Sequence, residues 1–383
     1  MGRKFLGKIL IAIVVIIQIG LVSVFLFHEV FDLTSSNSAI YVLRSKTGGI
    51  EIKTDIVFDE ASRIIFMLDA TNVFNLFMKT VAVARDKPVL ELTWNKKEGV
   101  GAVKEFREDG TMLSFSFSRF REGEGIPHGL FLGGELPYAD TIERSSSGFG
   151  YYDGEKWFHI WCSANEGFSL SGSKEVVVPH QWKYLGSRVI KETTDKAIIE
   201  SLHEKTLNGN KILMKRLASF RAGDDYFTLK VRITNASKNI ILYGYAYGDE
   251  PWIGNFSSSE GDVGWYKGGL IKHEMYLSPL DYKYAGWWDY GNDAAGEMHN
   301  YTGYANFIEW VRPTPTYVYF SNIMDECCSE SLPLNATFNR VINIVWLHQM
   351  LLPGESRDHV LAIGMAHIDP LINLPRKPEV RLD

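Results

Sequence analysis

The sequence predicts an all-β chain, a large antiparallel β-sandwich preceded by one N-terminal transmembrane helix. Three observations predict this. Short runs of β-branched and aromatic residues, bounded by Gly, Asn, Asp or Ser, recur from Ala39 onward. No stretch in the half that follows the N-terminal run keeps a helical period over three turns. One long apolar run occupies residues 9–27 (ILIAIVVIIQIGLVSVFLF), broken only by Gln18, Gly20 and Ser23.

That run reaches about 28 Å as a helix, the thickness of a bilayer's hydrocarbon core. It exceeds the roughly 7–15 apolar residues of a signal peptide, and no small-x-small cleavage site follows until the serines near Ser36, so an uncleaved anchor is expected. Arg3, Lys4 and Lys8 precede it, whereas Glu29 and Asp32 follow it. The positive-inside rule then leaves residues 1–8 as a cytoplasmic stub and exports the rest: a linker over 28–38, including the polar connector LTSSNS, and a β domain over 39–383.

In chain order, strands are expected at 40–45, 50–57, 63–68, 79–84, 88–94, 112–119, 157–162, 175–179 and 187–192. Residues 61–78 fit a helix or strands, with strands preferred. A clear meander follows: residues 197–206, 211–220 and 226–234, joined by the turns Asn208-Gly209-Asn210 and Gly223-Asp224-Asp225. In its third strand Phe227, Leu229, Val231 and Ile233 alternate with Thr228, Lys230, Arg232 and Thr234, so one face is core and the other wet. Residues 316–321, 340–346 and 359–365 complete the set. The tail, with Pro370, Pro375 and Pro378, is expected to be extended on the surface.

At 383 residues the chain accommodates one large β domain or two ordinary ones. Its net charge of −6, despite a cationic N-terminus, argues against nucleic acid as a partner. An exported domain has no ready access to ATP or nicotinamide cofactors, and the sequence has no Gly-rich phosphate loop, so no cofactor is expected. The three cysteines, Cys162, Cys327 and Cys328, are too few for a disulfide framework and lack zinc spacing. Cys162 is read either as a buried thiol or as a bridge to one of the pair. No metal site is expected; Asp289, Asn292 and Asp293 offer oxygens for Ca²⁺ but match no EF-hand spacing. Sequons begin at Asn235, Asn255, Asn300 and Asn335.

The stretch from Tyr243 to Trp310 is crowded with aromatic, glycine and acidic residues. Exposed aromatic faces hold the apolar C–H surfaces of sugars, and nearby carboxylates take the hydroxyls. Tyr247, Trp252, Trp265, Trp287, Trp288 and Tyr290 are accordingly the expected ligand-binding residues. Asp249, Glu250 and His299 are the expected catalytic ones: a carboxylate for acid or base work, with its partner drawn from Glu260, Asp262, Asp289, Asp293 or Glu297, or else a histidine base for lyase chemistry. Adjacent strand residues face opposite ways, so only one of Asp249 and Glu250 meets a ligand. For Trp287 and Trp288 the competing reading is that they plug the mouth of the sandwich.

The segment Arg216–Ser237 (RLASFRAGDDYFTLKVRITNAS) resembles the central strands of the galactose-mutarotase-like supersandwich domains. The turn Leu352-Pro353-Gly354-Glu355-Ser356 resembles that family's Pro-Gly-Glu turn. The resemblance covers the C-terminal half and implies a large antiparallel β-supersandwich with a carbohydrate site on a concave sheet face. Where the family places its acid histidine this chain has Tyr245 to Trp252, and His348 and Gln349 stand where its carboxylate is expected; mutarotase activity is therefore not implied. The expectation is a membrane-anchored extracytoplasmic domain that binds, and processes as a hydrolase or lyase if it is an enzyme, a carbohydrate polymer or glycoconjugate. The alternative is a non-catalytic cell-surface assembly protein that uses the aromatic region against an envelope protein partner. In either case the first strand of the aromatic stretch faces the ligand and the remainder roofs the sheet.

Overall fold

A computed structural model describes residues 31–35, 40–45, 51–58, 64–67, 87–95, 100–118, 130–131, 148–161, 165–249, 252–254, 261–290, 302–322, 332–334 and 340–382. Everything described is strand, turn or short 3₁₀ helix, with all strand pairings antiparallel. The expected transmembrane segment, the strand at 79–84 and the cysteines lie outside the described residues. Among the described residues no helix is long and apolar enough to cross a membrane.

The chain divides into two compact units, Met1–Thr80 and Val81–Asp383. The first holds β1 (Phe31–Ser35), β2 (Ile40–Ser45), β3 (Glu51–Phe58) and β4 (Ile64–Met67), a four-stranded meander in that order. Part of the expected linker is thus strand: Leu33, Thr34 and Ser35 pair with Leu43, Val42 and Tyr41.

The second unit holds β5 (Val89–Asn95), β6 (Val100–Phe106), β7 (Met112–Ser118), β8 (Leu130–Phe131), β9 (Phe149–Tyr152), β10 (Trp157–Trp161), β11 (Asn165–Leu170) and β12 (Val176–Val177). Next come β13 (Lys183–Glu192), β14 (Lys196–Leu207), β15 (Asn210–Arg221), β16 (Tyr226–Asn235), β17 (Ile241–Asp249), β18 (Asp262–Tyr266), β19 (Gly269–Ile271) and β20 (Met275–Leu277). The last are β21 (Tyr284–Asp289), β22 (Ala305–Arg312), β23 (Tyr317–Ser321), β24 (Val341–Leu351), β25 (Ser356–Asp369) and β26 (Leu374–Arg376). They form a six-stranded first sheet, β10-β9-β7-β6-β5 with β8 on β7; a six-stranded second sheet, β12-β11-β17-β24-β23-β20; and a ten-stranded third sheet, β13-β14-β15-β16-β25-β22-β21-β18-β19 with β26 on β25.

The meander β14-β15-β16 follows directly from its sequence. Its burial alternates residue by residue, with Ile199, Met214, Ala218, Leu229, Val231 and Ile233 in the core. Asn208 (φ 49°) and Gly209 (φ 75°) supply the two left-handed residues of a tight hairpin turn. Beyond it, the two segments that carry the family resemblance meet: Gly354 N–H donates to Asn235 C=O at 2.8 Å and Asn235 N–H to Glu355 C=O at 2.9 Å. The Asn235 side chain is consumed inside the corner, donating to Asn239 and Leu351 carbonyls and accepting from Ser237. It is fully buried, so this sequon presents no amide for glycosylation.

Second and third sheets face each other across one core. Tyr243 on β17 meets His359 on β25 (O to Nε2, 2.9 Å), and Phe320 on β23 meets Trp287 on β21 (ring centroids 5.0 Å). The first sheet joins the same core through Phe115 and Phe149, which stack at 4.6 Å, and through Phe115 on Phe220 at 4.6 Å.

Among the described residues the expected roof is sheet. After β17 the chain adds β18, β19, β21 and β22 to the third sheet and β20 and β23 to the second, so the aromatic stretch builds the sandwich itself. Nor is β17 an open ligand-facing strand: Tyr243, Tyr245 and Tyr247 point into the core and are 0–1% exposed. The C-terminal tail lies across the outer face of the third sheet, where Leu374 and Val380 pack beside Tyr226, Trp265, Trp288 and Phe307. Arg381 N–H donates to Tyr226 Oη at 2.6 Å.

Candidate functional site

The chemistry of the aromatic stretch converges on two aspartates. Asp262 opens β18 and Asp289 closes β21, and the two are direct partners in the β18–β21 register. Strand alternation puts Asp262, Gly264, Ala285, Trp287 and Asp289 on the inner face. Gly264 has no alternative on that face, because a Cβ there would press on Ile271 and on the Phe320 ring at 2.9 Å.

Asp262 and Asp289 are 0% and 1% exposed. Asp262 Oδ2 accepts from Ile253 N–H at 3.1 Å, and Asp289 Oδ2 accepts from both the N–H and Oγ1–H of Thr302 at 2.7 Å. Arg340, also buried, reaches from the head of β24, donates through Nη1 to the Asp262 carbonyl at 2.5 Å and sets its guanidinium 5.7 Å from the centre of the Trp287 ring. Burial pushes the Asp262 carboxyl well above the usual carboxylate range; the nearby Asp289 pushes the same way, while Arg340 opposes.

His159 on β10 closes the group. It is fully buried, its Nδ1 lies 3.0 Å from the Trp252 carbonyl, and its backbone exchanges hydrogen bonds with Gly254. Gly254 (φ 81°) lies against the Thr302 side chain that holds Asp289. One short segment, Trp252 to Gly254, thus contacts His159, Asp262 and Thr302.

Two carboxyls, one of them pushed toward its protonated form by burial, stand on the same face. Directly opposed strand residues have Cβ atoms about 4.5–5.5 Å apart.

The expected site residues separate into distinct places. Trp287 faces the core beside Arg340; Trp265 and Trp288 lie on the opposite face of the same strands, buried with Tyr226 and Phe307. Trp265 Nε1 donates to the Asn306 carbonyl at 2.9 Å. Tyr247 is buried on β17. These four rings are packed on all sides and present no stacking face. Trp252 and Tyr290 are half-buried; Tyr290 sits 4.6 Å from Trp288, with the exposed Lys272 ammonium 5.9 Å from its centre. The side chain of Asp249, and Glu250 and His299, lie outside the described residues.

His159 and Arg340 belong to the site and are absent from the sequence expectation. Their signal was faint: a lone His in WFHIW and a lone Arg before VINIVW. A second buried polar group lies between the sheets. Arg216 on β15 donates to Glu166 on β11 at 2.6 Å and lies 3.1 Å from His203 Nδ1, while Tyr245 Oη–H donates to Glu166 at 3.0 Å. Every member is buried. Among the described residues no cluster of His, Cys, Asp and Glu could hold a metal ion.

No family model matches the sequence, and no curated protein is significantly similar to it. Solved structures are. A galactose mutarotase-like protein from Clostridium acetobutylicum aligns at 11% identity and TM-score 0.35, over 73% of this chain and 99% of that one. An aldose 1-epimerase from Klebsiella pneumoniae, itself of inferred function, aligns at 10% identity and TM-score 0.32, over 75% and 86%. The GH36 α-galactosidase AgaB from Geobacillus stearothermophilus aligns at 11% identity and TM-score 0.37, over 72% of this chain and 41% of that one. The matched part spans about two fifths of the α-galactosidase. Similarity at this level assigns no role to any residue described above.

Proposed function

We propose that this chain is a membrane-anchored, extracytoplasmic domain of supersandwich type that binds a carbohydrate polymer or glycoconjugate at the end of the sandwich where Asp262 and Asp289 meet. One observation carries the reading: a half-buried aromatic ring stands next in sequence to Asp289 and another next to the residue that Asp262 holds. Trp252 precedes Ile253, whose N–H is held by Asp262, and Tyr290 follows Asp289. Rings at the rim would stack on sugar faces, with the exposed Lys272 beside Tyr290 taking hydroxyls. Any processing chemistry would be built on Asp262 as acid with Asp289 beside it. Asp249, Glu250 and His299 remain proposed contributors from adjoining segments. The anchor and the exported location rest on residues 1–32 of the sequence alone.

The test is a glycan array probed with the full chain and with Trp252→Ala and Tyr290→Ala. Loss of a bound glycan in both variants supports the rim site; unchanged binding removes it.

A second reading, a non-catalytic assembly protein, draws on a different face. On the outer side of the second sheet Tyr276, 39% exposed, packs against Tyr317 and Tyr319 at 5.8 and 6.2 Å. Leu242 and Met350 form an exposed cross-strand pair on that side. Recovery of a stable envelope partner that Tyr276→Ala releases, with no glycan bound, would favour it.

A further inference from the structure

The outer face of the third sheet carries a charge pattern that the acid pair does not use. Two clefts lie there and share Arg232. One, of about 460 Å³, is lined by Arg232, Arg312, Pro313, Ser356, Arg357 and Asp358. The other, of about 60 Å³, is lined by Glu200, Lys215, Leu217, Lys230 and Arg232. Four cations of this face, Lys215, Lys230, Arg232 and Arg312, thus accompany two carboxylates on a chain whose net charge is −6.

Register explains why they line up. Lys215, Arg232 and Asp358 are successive cross-strand neighbours on β15, β16 and β25; Leu217, Lys230, Val360 and Arg312 form the adjacent row through β22. With strands about 4.8 Å apart, the rows cross roughly 14 Å of sheet at right angles to the chain direction.

The carboxylates do not exhaust the cations. Asp358 takes Arg232 in a two-bond fork at 2.6 and 2.9 Å, and Glu200 takes Arg188 and Lys215. Arg357 uses Nη1 on Gln349. Lys230 and Arg312 act on Asp358 only through their charge and make no hydrogen bond or ion pair with a described residue. Between these charges lie apolar surfaces: Leu217 and the Pro313 ring.

We propose that this face binds a linear polyuronate laid across the strands, with its carboxylates on Arg312 and Lys230. Guanidinium forks match carboxylates, as Arg232 and Asp358 already show here. The apolar surfaces between cations fit the C–H faces of sugar rings, which a phosphate polymer lacks. The groove lies on the outer face and Arg312 ends β22 opposite Ala305, about 23 Å from the end nearest Asp289, so the inference stands apart from the acid-pair reading.

The experiment is calorimetric titration of the full chain with polygalacturonate, with its fully methyl-esterified form and with polyphosphate, at low salt and at about 150 mM, near one Debye length of 8 Å. Polygalacturonate should bind, weaken as salt rises, and exceed the ester at least about tenfold. Lys230→Glu with Arg312→Glu should cost at least about tenfold with the unfolding midpoint unchanged, and Arg312→Gln alone should cost less. Equal binding of the ester, wild-type affinity in the double variant, or tighter binding of polyphosphate at equal charge concentration would each overturn the proposal.

Discussion

Asp262 and Asp289 stand opposite one another on adjacent strands, both buried, with the Arg340 guanidinium at the Asp262 carbonyl. Desolvation pushes the Asp262 carboxyl well above the usual carboxylate range, and that has a sign. A folded pKa raised above the unfolded value of about 3.9 gives stability present below that value and lost as pH rises through the folded pKa. Asp262→Asn mimics the protonated acid, so it should change stability at pH 3 by about 0.5 kcal/mol or less. It should also flatten the decline of stability above about pH 4. Urea unfolding across pH 3–9 checks both.

Glu166 and Arg216 are the partners of a buried ion pair, with side chains each 5% exposed. Removing one partner strands the other charge. Glu166→Gln should cost about 3–5 kcal/mol, whereas Glu166→Leu with Arg216→Met should recover most of the loss. A double-mutant cycle by denaturant melts measures the coupling.

His359, under Trp346 and Tyr245, is pushed down to about 3 by burial, with the Arg357 charge adding to the effect. It folds neutral, whereas its unfolded value is about 6.5. Its contribution is therefore present above pH 6.5 and lost as pH falls toward 3, by about 1.4 kcal/mol per unit within that window. His359→Gln should lower stability at pH 7 yet show a shallower acid limb than the parent, read from unfolding midpoints between pH 4 and 7.

The C-terminal tail is a lid over aromatic residues that the expected binding site had claimed. Deleting residues 374–383 uncovers the cluster around Trp265, Trp288, Tyr226 and Phe307. With Leu374 and Val380 each only half-buried, the loss should be about 2 kcal/mol. Tryptophan emission should shift to the red and the thermal midpoint should fall.

Much of the architecture was legible because one face of each meander strand is wet. Residues 197–206, 211–220 and 226–234 alternate cleanly, and β14, β15 and β16 extend them by only a residue or two. The strands that escaped notice have both faces covered or carry glycines at crowded positions. In β21 (YAGWWD) every residue after Tyr284 is buried, because sheet two covers one face and the tail helps cover the other. A run of that composition is equally consistent with an exposed aromatic platform, and only the tail's placement decides. Trp265, Trp287 and Trp288 were therefore assigned to a ligand when they serve the core. Asp262 and Asp289 were visible only as candidates, since their pairing depends on a register between strands separated by β19 and β20.

The most direct test of the carbohydrate reading is equilibrium binding of a panel of neutral and acidic oligosaccharides to the full chain, to Lys230→Glu/Arg312→Glu, and to Trp252→Ala/Tyr290→Ala. A neutral glycan should bind the parent and the charge-reversed protein alike and lose at least about tenfold, or about 1.4 kcal/mol, in the aromatic double variant with its fold intact. Absence of any neutral glycan bound by the parent, or equal affinity in the aromatic variant, would contradict a sugar site at the Asp262–Asp289 end of the sandwich.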